Sequence, residues 1–363
     1  MWIAIFLIIA LCLFLLPLVP GLREMAHATD AQPLQVVRTY DTDITHFAIK
    51  FKAWLEKNFG DFLATQNNPA LENAEGTLQD KTAYQIIGKD SSPTFSREEI
   101  YNTSTQKLIL SAFPLRLTES MLFEGEVYGA DVIHTATHSQ FRALLAEGDI
   151  HLGEGCTVLR WIHSHGSISA GVGCRLFGRA SADKLITLSG GCQFERLNAA
   201  TILFGKKTPA VSQATVSLTP LAGLPNVKDQ FQRRWLIDGD LEIPAYCSFD
   251  GDIVASHSIR IGLGSRLIGN LKSNQDMVLA DGVHIDGTIV SSGDIHIGAD
   301  CRVTGAVISE KTIWVCAGSI IGTQALPTTM TSLNMHIACG VTAHGTVWAD
   351  DSASVLSDAR VYA

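Results

Sequence analysis

The sequence predicts an all-β chain, a three-sided parallel β-helix with about 18 residues per winding, preceded by a transmembrane helix and a short amphipathic helix. Three observations carry that prediction. Apolar residues recur without gaps at an 18-residue interval after Gly239. An earlier block, with a column of cysteines, repeats at the same interval. Residues 2–22 form one uncharged apolar run. Composition agrees: 46% hydrophobic and only 17% charged residues exclude bulk disorder. A net charge of −9 supplies no basic excess to displace counterions from nucleic acid.

The first element is WIAIFLIIALCLFLLPLVPGL, 21 residues, long enough to cross the hydrocarbon core as a helix (1–22). Ala26-His27-Ala28 would suit a cleaved signal peptide, but no Lys or Arg precedes the run and it exceeds an ordinary signal core. Arg23, Arg38, Lys50 and Lys52 follow it, so the positive-inside rule expects a single pass with the bulk of the chain in the cytoplasm. Seven of the eight cysteines lie in that part without a CxxC, as suits reduced thiols.

Residues 23–122 are expected to form a membrane-proximal α/β region. A polar connector (23–40) leads to Ile44, Phe47, Ala48, Phe51, Trp54, Leu55 and Phe59, a helical spacing that stops at Gly60. With Lys50, Lys52 and Lys57 on the remaining arc, this helix suits either a lipid surface or the flank of its own domain. A loop follows (66–80), then β-type runs at Ala83–Ile87, Lys107–Leu110 and Met121–Tyr128.

The β-helix is read in two blocks, 123–204 and 239–363, separated by an insertion loop at 205–238. In the second block, windings start at Leu241, Ile259, Met277, Ile295 and Ile313. Their seventh position holds Cys247, Ser265, Val283, Cys301 and Ser319. The eleventh is glycine at 251, 269, 287 and 305, read as a corner that needs a permissive backbone. In the first block, Ile150, Ile168 and Ile186 start windings, and Cys156, Cys174 and Cys192 follow Gly155, Gly173 and Gly191. Apolar positions two apart within a strand and six apart between faces fit three short strands per winding around a shared core. The cysteines then form an interior ladder, not a metal site. About nine or ten windings make a rod roughly 40–50 Å long whose ends, unless capped, present unpaired backbone.

With these columns laid out, Gly251-Asp-Ile-Val-Ala-Ser, Gly269-Asn-Leu-Lys-Ser, Gly287-Thr-Ile-Val-Ser and Gly305-Ala-Val-Ile-Ser resemble the bactofilins, polymer-forming cytoskeletal proteins of bacteria. Ile259-Arg-Ile-Gly and Ile295-His-Ile-Gly add to the likeness, which covers residues 241–321 well and 148–204 more loosely. The resemblance implies a right-handed β-helix that assembles end to end without nucleotide, often at the membrane. It further implies a scaffold at the bacterial inner membrane, with a homo-polymer or homo-oligomer, the lipid bilayer and membrane or cell-envelope proteins as partners. The membrane helix, the N-terminal region and the split helix depart from the compact family form.

The rival reading is a left-handed hexapeptide-repeat acyltransferase or related trimeric enzyme. Ile297, Val303, Ser309, Val315 and Ile321 fit its hexads, so periodicity leaves handedness open. Such an enzyme needs a base, and His163 with His165 is the close pair. His151, His284 and His296 are expected to face solvent on other windings. Asp238-Gly-Asp240 and Asp250-Gly-Asp252 read as turns. No phosphate loop, dinucleotide fingerprint or nucleophile elbow is present, so neither catalytic residue nor cofactor is assigned. Three interaction surfaces are expected. Val347 and Val355 on a terminal winding are the polymer contact, Val254, Val290 and Ile308 form an exposed stripe interrupted by Lys272, and Arg160, Arg179 and Arg196 form an anion patch.

Overall fold

The computed structural model describes residues 44–65, 71–89, 91–206 and 217–357. The chain divides into two units, Met1–Asp43 and Ile44–Ala363, and all the described structure belongs to the second. The expected membrane run at 2–22 and the connector lie outside the described residues. Among the described residues no helix is long and apolar enough to cross a membrane.

The second unit is mostly a β-solenoid of about 14 turns with about 18 residues per turn. At about 4.8 Å per ladder step that is a rod roughly 60–65 Å long. The column Leu241, Ile259, Met277, Ile295, Ile313 is a parallel ladder, each residue paired with the next. Strands such as Met277–Leu279 and Ile289–Ser291 bury their first and last residues and leave the middle one half-exposed, the period-2 pattern of a strand lining a core. One hydrophobic cluster runs the length of both blocks, from Ile87 to Val355.

The cysteine and serine columns have a common role. Cys156, Cys174 and Cys192 donate their thiols to the carbonyls of Ala136, Gly153 and Gly171, at 3.0 to 3.1 Å. Cys301 and Ser319 do the same to Ala280 and Gly298, at 3.1 and 2.8 Å. Each position supplies a small buried donor to a corner carbonyl of the preceding winding. Burial pushes the Cys301 thiol up to about 12, far from thiolate chemistry.

Three expectations about organisation are corrected. Winding begins well before residue 123: Ala83–Ile87 pairs in parallel with Leu108–Ser111, which pairs with Leu122–Gly129. A connection holding the helix α3 (Arg97–Asn102) stretches the first of these steps beyond 18 residues, while the second, Ile109 to Val127, keeps that interval. The α/β region is thus partly solenoid, and the winding count rises above nine or ten. The stretch after Ile321 also keeps winding, through Thr328–Ala338 and Val341–Leu356, once a loop around Pro327 has lengthened one turn.

The third correction concerns the insertion. Gln193–Phe204, the last strand of the first block, pairs antiparallel with Val341–Leu356, the last strand of the second. The two blocks therefore meet with their C-terminal windings face to face and run in opposite directions from that junction. Leu203 and Pro220 end one ladder, Leu203–Thr342–Ile320–Arg302–His284–Arg266–Ser248–Pro220. Its seven steps span roughly 34 Å, so Leu203 and Pro220 lie at opposite ends of the second block; residues 207–216 of the insertion lie outside the described residues. The insertion is a return connection that reverses the winding direction. A looped-out excursion between two co-directional blocks would have left the strands parallel.

Both outer ends finish in an antiparallel hairpin. Ala74–Thr77 turns back on Ala83–Ile87 at one end, and Val227–Phe231 on Arg234–Ile237 at the other. Beside the first, Phe95 packs edge-to-face on Phe123, with ring centroids 6.1 Å apart.

The amphipathic spacing forms α1 (His46–Asn58), continued after Phe59 by α2 (Gly60–Thr65). It packs on the solenoid's own flank. Ala48, Leu55, Phe59 and Phe62 join outward-facing Leu108, Leu110, Tyr128, Ala143, Leu145 and Trp161 in a second hydrophobic cluster. Phe51 meets Trp161 with centroids 5.6 Å apart.

Candidate functional site

The polar cluster of greatest chemical interest lies where the footprint of α1 ends. Two outward ladders run side by side there. One is Tyr128–Leu145–His163–Ser181–Asn198. The other stacks Glu147 and His165, each one position past its strand, and Asp183, at the register shift within Arg175–Leu188, at 18-residue intervals. Lys52 reaches down from α1 and donates to the Tyr128 hydroxyl at 2.9 Å and to Glu147, forming an ion pair with it. The Tyr128 hydroxyl donates to the same carboxylate at 3.1 Å.

This triad shifts its members in opposite directions. Burial alone would raise Glu147, but the hydrogen bond and charge of Lys52 outweigh it and hold the carboxyl below its ordinary value. Burial would likewise lower Lys52, and the Glu147 and Tyr128 bonds outweigh it to raise the ammonium. Burial pushes the Tyr128 hydroxyl up to about 12.

The two histidines are arranged around Asp183. His163 Nδ1 is 2.8 Å from Ser181 Oγ, and its Nε2 is 4.0 Å from Asp183 Oδ1. His165 Nδ1 is 2.9 Å from Asp183 Oδ2, and its Nε2 is 3.7 Å from Glu147 Oε2. The rings stand edge to face, centroids 4.7 Å apart. Both line a cavity of about 320 Å³ together with Lys52, Glu56 and Leu145. His163 is only 3% exposed, because α1 covers an outward position that the sequence alone leaves facing solvent. His151, His284 and His296 are half-buried and elsewhere: His151 bonds Ser169 at 2.6 Å, and His296 stacks on Trp314 at 6.0 Å.

The expected surfaces fare differently. Val347 and Val355 are 1% exposed and lie inside the rod. Val347 sits between Met330 and Leu197 at the junction, so the winding expected at an open end is an internal one. Val254, Val290 and Ile308 do share one half-exposed ladder, Leu236–Val254–Lys272–Val290–Ile308. A concavity of about 210 Å³ lies against it, lined by Asp252, Val254, Asn270, Lys272, Thr288 and Val290 among others.

That ladder crosses the junction through Thr331 and Trp348 to Arg196, Arg179 and Trp161. Two of the three arginines are therefore ladder neighbours on the same face as the stripe. Each guanidinium lies over a ring: Arg196 over Trp348 at 3.8 Å and Arg179 over Phe47 at 5.0 Å. Arg160 is exposed at the bulge between Val158 and Trp161, so the three do not converge on a common anion.

Sequence reasoning paired His163 with His165 but missed Asp183, Glu147 and Lys52. The 18-residue interval from Glu147 to His165 to Asp183 was the available signal. Lys52 carried none, since only the docking of α1 brings it there. No family model, curated protein or solved structure matches the chain.

Proposed function

We propose that the chain is a membrane-tethered scaffold of the bactofilin type. It associates end to end through solenoid windings without nucleotide and positions partner proteins at a bacterial inner membrane. The observation that supports this reading is the junction. Within one chain, two terminal windings are joined by backbone hydrogen bonds between Gln193–Phe204 and Val341–Leu356. A solenoid end of this construction is a sufficient template for another, because the edge presents unpaired N–H and C=O groups in ladder register. Since the junction uses up the windings of Val347 and Val355, the proposal moves the contact to the outer ends. One is the hairpin strand Val227–Phe231, exposed throughout, with Phe231 63% exposed. The stripe of Val254, Val290 and Ile308 is the proposed seat for a partner.

The second reading, a trimeric enzyme of the hexapeptide-repeat kind, is favoured by buried His163 beside Asp183 in a cavity. One experiment separates them. Sedimentation velocity of the full chain in detergent, over a range of concentrations, gives a ladder of growing species for the scaffold, shortened by Phe231→Arg. A closed trimer indifferent to Phe231→Arg would replace the scaffold with the enzyme. A monomer at every concentration would overturn end-to-end assembly.

A further inference from the structure

The nitrogens of the histidine pair are sorted in a way that ion pairing alone does not require. His163 Nε2 and His165 Nδ1 both face the Asp183 carboxylate, at 4.0 and 2.9 Å. The other nitrogen of each ring faces a different partner, Ser181 Oγ for His163 and Glu147 Oε2 for His165. At His163 the Ser181 contact on Nδ1 orients the ring and leaves Nε2 to meet a metal, which is how metal-binding imidazoles are held. At His165 a metal on Nδ1 would displace the proton now donated to Asp183 to Nε2, the nitrogen that faces Glu147. Taken one atom per residue, the three donor atoms lie within 4.8 Å of one another. Ligands around a tetrahedral Zn²⁺ with bonds of about 2.0–2.1 Å sit roughly 3.3 Å apart. Closing that gap needs movement only from His165 and Asp183, whose side chains are 46% and 53% exposed, while His163 is held beneath α1.

We propose that His163, His165 and Asp183 form a binding site for a divalent transition metal of the Zn²⁺ or Co²⁺ class, with the cavity beneath α1 beside it. Two imidazoles and one carboxylate are a donor set that these ions accept and that Mg²⁺ and Ca²⁺ disfavour. Charge favours it as well. Glu147 is matched by Lys52, which leaves the Asp183 carboxylate beside the two imidazoles to meet a cation. The half-exposed His165 and Asp183 provide the route in from solvent. Metal at this point would tie side chains of two successive windings together beside the docked helix, whether or not the rod assembles.

The test uses the full chain in detergent, stripped with a chelator and titrated with Co²⁺, read by visible d–d absorption, with Zn²⁺ as competitor. One equivalent of Co²⁺ is expected to bind and to be displaced by Zn²⁺. His165→Gln and Asp183→Asn, both at half-exposed positions that leave the core intact, should each weaken binding by more than about 100-fold. Ser181→Ala should weaken it by about 10-fold through the lost orientation of His163. His296→Gln, on another face, should bind like the wild type, and circular dichroism melting should confirm that every variant is folded. Absence of saturable Co²⁺ absorption up to millimolar metal would overturn the proposal. So would stoichiometric binding that persists in the His165→Gln, Asp183→Asn double variant.

Discussion

The two solenoid blocks share a period but solve the problem of the outward face differently. In the first block, Leu108, Leu110, Tyr128, Ala143, Leu145 and Trp161 point outward and are apolar, and the chain supplies α1 and α2 to cover them. In the second, the same face carries half-exposed Val254, Val290 and Ile308 and exposed Lys272. The strands differ as well. The first block has strands of 14 and 12 residues, Arg175–Leu188 and Gln193–Phe204, broken by register shifts. Up to Ile321 the second has strands of two to four residues in unbroken register, such as Leu271–Ser273 and Ile289–Ser291, and only its last windings, Thr328–Ala338 and Val341–Leu356, are long and shifted. The long, shifted strands of both blocks gather at the junction, Arg175–Leu188 and Gln193–Phe204 on one side and Thr328–Ala338 and Val341–Leu356 on the other.

The sharpest way to break the comparison is to separate the blocks. Val347→Asp places a carboxylate in the dry interior where Val347 meets Leu197 across the antiparallel junction. Without a partner such a charge should cost about 4 kcal/mol or more. Urea unfolding followed by circular dichroism should show a large loss of stability, with the two blocks melting in separate steps. A variant that unfolds like the wild type would mean that the junction is not a cohesive interface.

The second block was legible up to Ile321 because each winding there repeats one pattern of short strands, so columns such as Leu241 to Ile313 stand out unaided. The step from Ala83–Ile87 to Leu108–Ser111 was not, since a connection containing α3 stretches it, although the 18-residue steps from Thr105 to Phe123 and from Leu115 to Ile133 carried the period back before residue 123. The direction of the second block was also invisible. Parallel windings read identically from either end, and only the Gln193–Phe204 pairing reveals the reversal. At the candidate site His163 and His165 were legible as an alternating pair, but the burial of His163 depends on tertiary docking of α1.

Glycine columns sharpen the contrast at smaller scale, because two that look alike in sequence arise from different causes. A Cβ at Gly287 would lie 2.1 Å from the Gly269 carbonyl oxygen, so that column exists to let successive windings approach, beyond the corner freedom expected of it. At Gly173 nothing lies within 4 Å, but φ is +71°, in the left-handed region. Gly287→Ala should therefore cost about 3 kcal/mol by overpacking. Gly173→Ala should cost about 1–2 kcal/mol by backbone strain alone, and Gly173→Asn, which tolerates that conformation, should recover part of it. Equal losses at the two sites, measured by denaturant titration, would erase the distinction.

The smallest effect tests why only the first block wears a helix. Lys52 is the polar fastener of α1, through Glu147 and Tyr128, with both charged side chains 29% exposed. Lys52→Met keeps the aliphatic length and removes the bonds, for a loss of about 1–2 kcal/mol. The pH dependence follows from the two shifts. Glu147 is held below its ordinary 4.5, so its contribution is complete above that value and fades as pH falls through the lower, folded value. Lys52 is held above its ordinary 10.5, so its share is complete below that value and fades as pH rises through the higher, folded one. The difference in melting temperature between wild type and Lys52→Met should accordingly be flat across the neutral range and shrink toward both extremes. A difference unchanged into strong acid would assign the docking of α1 to its apolar contacts alone, and the helix would then be present in the first block simply because Tyr128, Leu145 and Trp161 need a cover.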